Sequence, residues 1–130
     1  VGGGQASAPT EPARSNLGNW PIQMRLAPMK SPAFDGDLII AADCTAFADA
    51  GFQEKITRGK TLVIGCPKLD PGEWVEKLTA IFEKNDVNFV EVVRMSVPCC
   101  GGLPVGVKEA ISKSGRDIPM SVRVIKTPIR

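Results

Sequence analysis

The feature that most restricts this chain is an alternation, repeated four times, between short apolar runs and segments with helical spacing. The runs cover residues 37–43, 61–65, 89–95 and 121–126, and polar or glycine-containing stretches bound them. Continuous apolar runs of this length read as strands buried on both faces. In the last run Val122 and Val124 alternate with polar neighbours. Between the runs lie three helical patterns. Residues 45–56 place Ala46, Phe47, Ala50 and Ile56 at weakly amphipathic spacing, interrupted by Gly51. Residues 70–84 form the clearest helix: Asp70 suits the N-cap, Pro71 the first helical position, and Glu73 completes a capping box. Trp74, Val75, Leu78, Ile81 and Phe82 then share one face. The third helix runs over 102–114, with Leu103, Val107 and Ile111 four apart and Gly115 as its stop. Strand alternating with helix implies parallel strands joined by right-handed crossovers. The expected fold is α/β: a three-layer, open, mostly parallel sheet of four to five strands with flanking helices, the Rossmann- or flavodoxin-like arrangement.

Residues 1–15 are mostly Gly, Pro, Ser and Ala, too poor in apolar side chains to offset the entropy of ordering, and read as a flexible leader. Residues 16–130 read as a single domain, since 130 residues in all leave little room for two cores. Within it, Ile22, Met24 and Leu26 alternate behind Pro21 and predict a short edge strand. Trp20 and Trp74 read as packing residues, and Met24, Met29, Met95 and Met120 as core filler.

Charge and composition exclude several functions. Sixteen Lys and Arg against fourteen Asp and Glu leave a net charge of +2, with no basic stripe to hold a nucleic acid backbone. No run approaches the roughly 18 apolar residues of a membrane helix. The first twenty residues lack the apolar core of a secretory signal, so a cytoplasmic setting is expected. Histidine is absent, which removes a His general base, a catalytic triad and any His-ligated metal.

The chemistry left to the chain is that of its four cysteines. Cys44 follows the first run, Cys66 the second, and Cys99 with Cys100 the third. In an open parallel sheet the loops beyond the carboxyl ends of the strands share one edge, where ligands bind. Thiols separated by 22 and 33 positions are thereby expected to meet at one metal or redox site. Cysteine close to a helix N-terminus gains thiolate character from the helix dipole. Around the thiols, Gly101 and Gly102 leave backbone N–H groups open to sulfur ligands, while Pro67 and Pro98 stiffen the joints. Lys68 offers positive charge, and Asp43 is either a turn former or a tuning group. Arg94 is placed to approach the site edge or to form a cross-strand ion pair.

An iron–sulfur cluster suits this set best. Structural zinc draws its ligands in closely spaced pairs, C-x₂₋₄-C, whereas the close pair here is directly adjacent. A multi-iron cluster offers several metal corners and takes all-cysteine ligation as its standard. A zinc module remains the alternative, as does a thiol redox protein using Cys99 and Cys100, although the latter lacks C-x-x-C spacing.

Four segments occur in an order that carries a family resemblance: residues 15–23 (SNLGNWPIQ), 41–48 (AADCTAFA), 64–70 (IGCPKLD) and 97–103 (VPCCGGL). Together they resemble the C-terminal cysteine-bearing domain of the ferredoxin-type 4Fe-4S iron–sulfur-binding proteins of anaerobes. The similarity spans residues 15–127. It implies 4Fe-4S binding and electron transfer, and a non-enzymatic electron carrier or redox subunit is expected ahead of an enzyme. It also implies a redox partner protein such as a ferredoxin module or an oxidoreductase subunit.

Overall fold

The computed structural model describes residues 14–70 and 72–128. The leader expected over residues 1–15 falls outside them apart from Arg14 and Ser15, and the expected role of Pro71 falls outside them too.

Four strands are formed: β1 (Gly36–Ala42), β2 (Thr61–Gly65), β3 (Val87–Met95) and β4 (Met120–Ile125). They make one sheet in the order β2-β1-β3-β4, and every pairing is parallel. The expected α/β sheet is therefore present, with four strands. Ile40 of β1 stands beside Val63 of β2 and Val92 of β3, so the central strand is apolar because both its faces are covered. Leu38, Ile40, Ala42, Val63, Val90 and Val92 pack toward one layer; Ile39, Ala41, Leu62 and Val93 pack toward the other.

The first layer consists of α2 (Trp74–Lys84) and α3 (Gly102–Ser114). The second is the connection from β1 to β2, a short helix α1 (Thr45–Ala48) followed by a π-helical turn (Phe52–Thr57) that contributes Phe52 and Ile56. Gly51 separates the two pieces, so the single weak helix expected over 45–56 is broken where its pattern is interrupted. The β1–β2 and β2–β3 connections cross the sheet in opposite directions and on opposite faces, as two crossovers of the same hand must. Helix α3 ends at Gly115, whose φ of 75° is the left-handed cap a glycine takes without steric cost.

Helices α2 and α3 approach closely at Gly106. A Cβ there would lie 2.7 and 2.8 Å from two carbons of the Trp74 indole. Gly106→Ala should gain about 1 kcal/mol of helix propensity and lose about 1–3 kcal/mol to overpacking. The expected result is a destabilisation of up to about 2 kcal/mol, read as a lower denaturant midpoint at unchanged slope.

Two local expectations need correction. Residues 22–26 do not form a strand: a single parallel bridge joins Gln23 to Ile64. The Gln23 carbonyl then accepts from the amides of both Leu26 and Ala27 at 2.9 Å, which closes a turn and leaves Leu26 exposed. Helix α2 begins at Trp74, not at Asp70, because the Asp70 carboxylate is engaged elsewhere. Trp74, Met24 and Met95 are buried as expected. Trp20 is 78% exposed and Met29 is exposed; the stretch around Trp20 lies along the outer edge of β2. There the Asn19 side chain imitates a strand, donating to the Leu62 carbonyl at 2.9 Å and accepting from its amide at 2.8 Å.

Candidate functional site

Each cysteine lies just past the carboxyl end of a strand, on the edge where β1 and β3 lead away in opposite directions. At such a switch point the two following loops diverge and leave a crevice. Cys44 stands on one lip and the Cys99–Cys100 pair on the other. Cys66 follows β2, two strand spacings from β3, or about 10 Å before any leaning of the loop.

The loop after β1 is held by backbone and hydroxyl bonds. The Asp43 amide donates to the Gly65 carbonyl at 3.0 Å, and the buried Thr45 hydroxyl donates to the Ala42 carbonyl at 2.7 Å. Cys44 begins α1 and is exposed. Asp43 lies in the turn after β1, and its Oδ1 is buried with no hydrogen-bond partner among the described residues. Burial, followed by repulsion from Asp70, raises its carboxyl above the ordinary value.

That shift sets a pH dependence. A carboxyl raised in the folded state costs stability when it ionises. Below the ordinary Asp value of about 3.9 the group is neutral both folded and unfolded, so the cost is absent; it grows as pH rises through the folded value and stays constant above it. Asp43→Asn should therefore stabilise the protein at neutral pH, with the gain vanishing at about pH 3 in denaturation curves, below the ordinary Asp value of about 3.9.

The loop after β2 is a tight turn latched by Asp70. Its Oδ2 accepts the Cys66 amide at 2.7 Å and its Oδ1 accepts the Gln23 side chain at 3.0 Å. The amides of Leu69 and Asp70 donate back to the Cys66 carbonyl at 3.1 and 2.8 Å. Cys66 is half-buried, and Lys68 is exposed. No helix follows Cys66 directly, so the helix-dipole assistance expected there is missing. The loop leans over the end of β1: a Cβ on Gly102 would lie 3.6 Å from the Pro67 ring. Pro67 and Gly102, both expected near the site, thus face one another across the second and third cysteine loops.

The loop after β3 rests on Arg94. Its guanidinium donates to the Met95 and Val97 carbonyls, both at 3.0 Å, which settles its role as loop support in place of an ion pair. A one-turn 3₁₀ helix (Pro98–Cys100) leads through Gly101 into α3, with the Gly101 amide closing on the Pro98 carbonyl at 2.9 Å. This is the one thiol pair standing at the N-terminus of a long helix, where the dipole is at full strength.

The two adjacent cysteines differ sharply. Cys99 is exposed, whereas Cys100 is 4% exposed and belongs to the apolar cluster with Trp74, Leu103 and Val107. Burial pushes the Cys100 thiol up, a hydrogen bond from the Met95 amide pulls it down, and the neighbouring Cys99 and Cys44 thiols push it up again. All four cysteines are free thiols. Among the described residues, no three His, Cys, Asp or Glu side chains are gathered tightly enough to hold a single metal ion.

Sequence reasoning missed the Asp70 latch, and it placed Arg94 at the site edge without its role as loop support. The signal for Asp70 was its place four residues after Cys66, within turn reach; Arg94 had none beyond a charge at a strand end.

Comparison with known proteins bears on the fold. The chain is 29% identical over 109 residues to an uncharacterized protein of Archaeoglobus fulgidus, covering 82% of this chain and 76% of that one. No solved structure matches it. No helix among the described residues is long and apolar enough to cross a membrane. Residues 31–128 match the family model described as a Rossmann-like domain, the span that holds all four strands and all four cysteines. With its parallel β2-β1-β3-β4 sheet and helices on both faces, the chain belongs to the Rossmann-like domain family.

Proposed function

We propose that this chain is a cytoplasmic iron–sulfur protein that binds a 4Fe-4S-type cluster through cysteines at the sheet edge. In this reading it serves electron transfer or redox sensing with a redox partner protein, such as a ferredoxin module or an oxidoreductase subunit. What supports the reading is the placement of the cysteines on three loops past the carboxyl ends of three adjacent strands, beside the switch point.

The donor set fits such a group. It is all thiol, as iron–sulfur ligation requires. The sulfurs are spread along the rim, whereas a single zinc ion needs four donors at about 2.3 Å from one point. When bound, the cluster supplies one-electron redox chemistry. The protein's own part is positioning: Asp70 holds the Cys66 turn and Arg94 holds the Cys99 loop.

Anaerobic reconstitution of the full chain with iron and sulfide tests the reading. Bound iron and acid-labile sulfide, with a visible chromophore and an EPR signal on reduction or oxidation, is the expected outcome. Protein that stays colourless and free of both leaves the reading without support, and stoichiometric zinc retained in place of iron replaces it.

A further inference from the structure

The sheet has two outer edges, and the fold treats them differently. The edge of β2 is covered: the Asn19 side chain bonds both the amide and the carbonyl of Leu62, and a bridge joins Gln23 to Ile64. The edge of β4, the last strand of the order, has no such cover among the described residues. Which of its backbone groups are free follows from the ladder. The carbonyls of Pro119 and Ile125 accept from the amides of Val90 and Ser96 at 3.0 and 2.8 Å, so every second residue between them faces β3. The N–H and C=O groups of Met120, Val122 and Val124 therefore point outward. The side chains of the same three residues lie on the sheet face that carries α3, because Met120 and Val122 stand beside Val90 and Val92. Val122 is 44% and Val124 54% exposed, and no charge interrupts the stripe. A bare edge with an apolar face is a template for a strand from another chain.

We propose that β4 is a homodimer edge, at which a second copy of this chain pairs its own β4 antiparallel across a two-fold axis centred on Val122. The occupant is a second copy because the edge complements itself. With Val122 opposite Val122, Met120 stands opposite Val124 in both directions. These are the residues whose backbone groups are free, so each pair exchanges both of its hydrogen bonds. The apolar pairs share one face, and on the other Arg123 stands opposite Ser121. Centring on Arg123 would set like charges face to face, although Glu91 already pairs with Arg123 at 2.8 Å within each copy. Centring on Ser121 would set Val124 opposite Ile118, which lies outside the strand. Charge and strand length thus select one register. Between α3 and the start of β4 a groove is lined by Ile111, Ile118 and Met120, with Lys108 and Ser112 at its side, and the partner's Val124 lies at its mouth. A single strand edge buries less than the roughly 1,600 Å² of a standard interface, which sets the expected Kd at about 1–100 µM. The antiparallel pairing sends the two cysteine edges to opposite ends of one continuous sheet, so both crevices stay open. None of this depends on the iron–sulfur reading.

Sedimentation velocity of the full chain from about 1 µM to about 1 mM brackets that Kd, in excess thiol so that no cysteine bridge joins the copies. Wild type should pass from monomer to dimer across the range. Val122→Pro removes the outward donor at the two-fold centre and leaves the β3 ladder intact, since the Val122 amide does not serve it. It should weaken the dimer about tenfold or more. Val122→Lys keeps the amide but sets like charges opposite each other. It should weaken the dimer too, and it decides the matter if circular dichroism shows the proline variant unfolded. Residue-resolved hydrogen exchange reads the register. Raising the concentration should slow exchange at the Met120, Val122 and Val124 amides and leave Ser121, Arg123 and Ile125, already bonded to β3, little changed. A chain monomeric throughout overturns the proposal, as does a dimer that persists in the folded variants or one without protection at those three amides. A monomer that instead takes up an extended peptide of unrelated sequence along β4 assigns the edge to another protein and overturns it as well.

Discussion

Asp70→Ala is expected to destabilise the protein by about 2–4 kcal/mol and to release the turn that carries Cys66. The carboxylate is 9% exposed and accepts two hydrogen bonds, from the Cys66 amide at 2.7 Å and the Gln23 side chain at 3.0 Å. Bonds to a charged group contribute about 1.5–3 kcal/mol each, and truncation also leaves two buried donors unpaired. Part of the loss is offset, because removing Asp70 relieves its repulsion of Asp43. The two effects separate experimentally. Denaturation should report the net loss, while the Asp43 carboxyl, followed by NMR, should titrate at lower pH in the variant than in wild type. Asp70→Asn retains one acceptor oxygen and should fall between wild type and Asp70→Ala. A loss under about 0.5 kcal/mol for Asp70→Ala would mean that the backbone turn alone holds Cys66 in place.

Asp70 also shows where the sequence was legible and where it was not. The run Asp70, Pro71, Glu73 has the local signature of a helix start, and local signatures are all that spacing can display. The competing partner, Gln23, is 47 positions away, so nothing near Asp70 announces it. Strands were readable for the opposite reason: Leu38 to Ala42 are buried on both faces, and burial on both faces writes itself as an unbroken apolar run. The run at 61–65 matches β2 residue for residue, and Gly115 marks the end of α3 because a positive φ admits few alternatives. Ile22, Met24 and Leu26 misled because alternation over five residues also fits a bridge followed by a turn. The shared address of the cysteines followed from topology. The distinction between Cys99 and Cys100 did not, since it depends on the direction in which one 3₁₀ turn enters α3.

Arg94→Met is expected to cost about 2–3 kcal/mol and to loosen the third cysteine loop specifically. The side chain leaves β3 and returns its guanidinium to two carbonyls of the loop that follows, at Met95 and Val97, both at 3.0 Å. Methionine keeps most of the aliphatic volume and removes the donors, so the change isolates the charge-assisted bonds from packing. Arg94→Lys should recover only part of the loss, because an ammonium lacks the planar fork that reaches two acceptors at once. The control is Arg123→Ala. Arg123 pairs with Glu91 at 2.8 Å, but its side chain is 47% exposed, and a pair of that kind contributes about 0–1 kcal/mol. Hydrogen exchange gives the site-specific reading. Arg94→Met should accelerate exchange at the Cys100 and Gly101 amides, which close the turn onto Val97 and Pro98, while leaving α2 protected. Acceleration spread evenly over the sheet would instead make Arg94 a general contributor to stability. On the proposed iron–sulfur reading, the loosened Cys99 loop should shed a reconstituted cluster faster in Arg94→Met than in Arg123→Ala. Equal rates would mean that the crevice keeps its shape without the guanidinium.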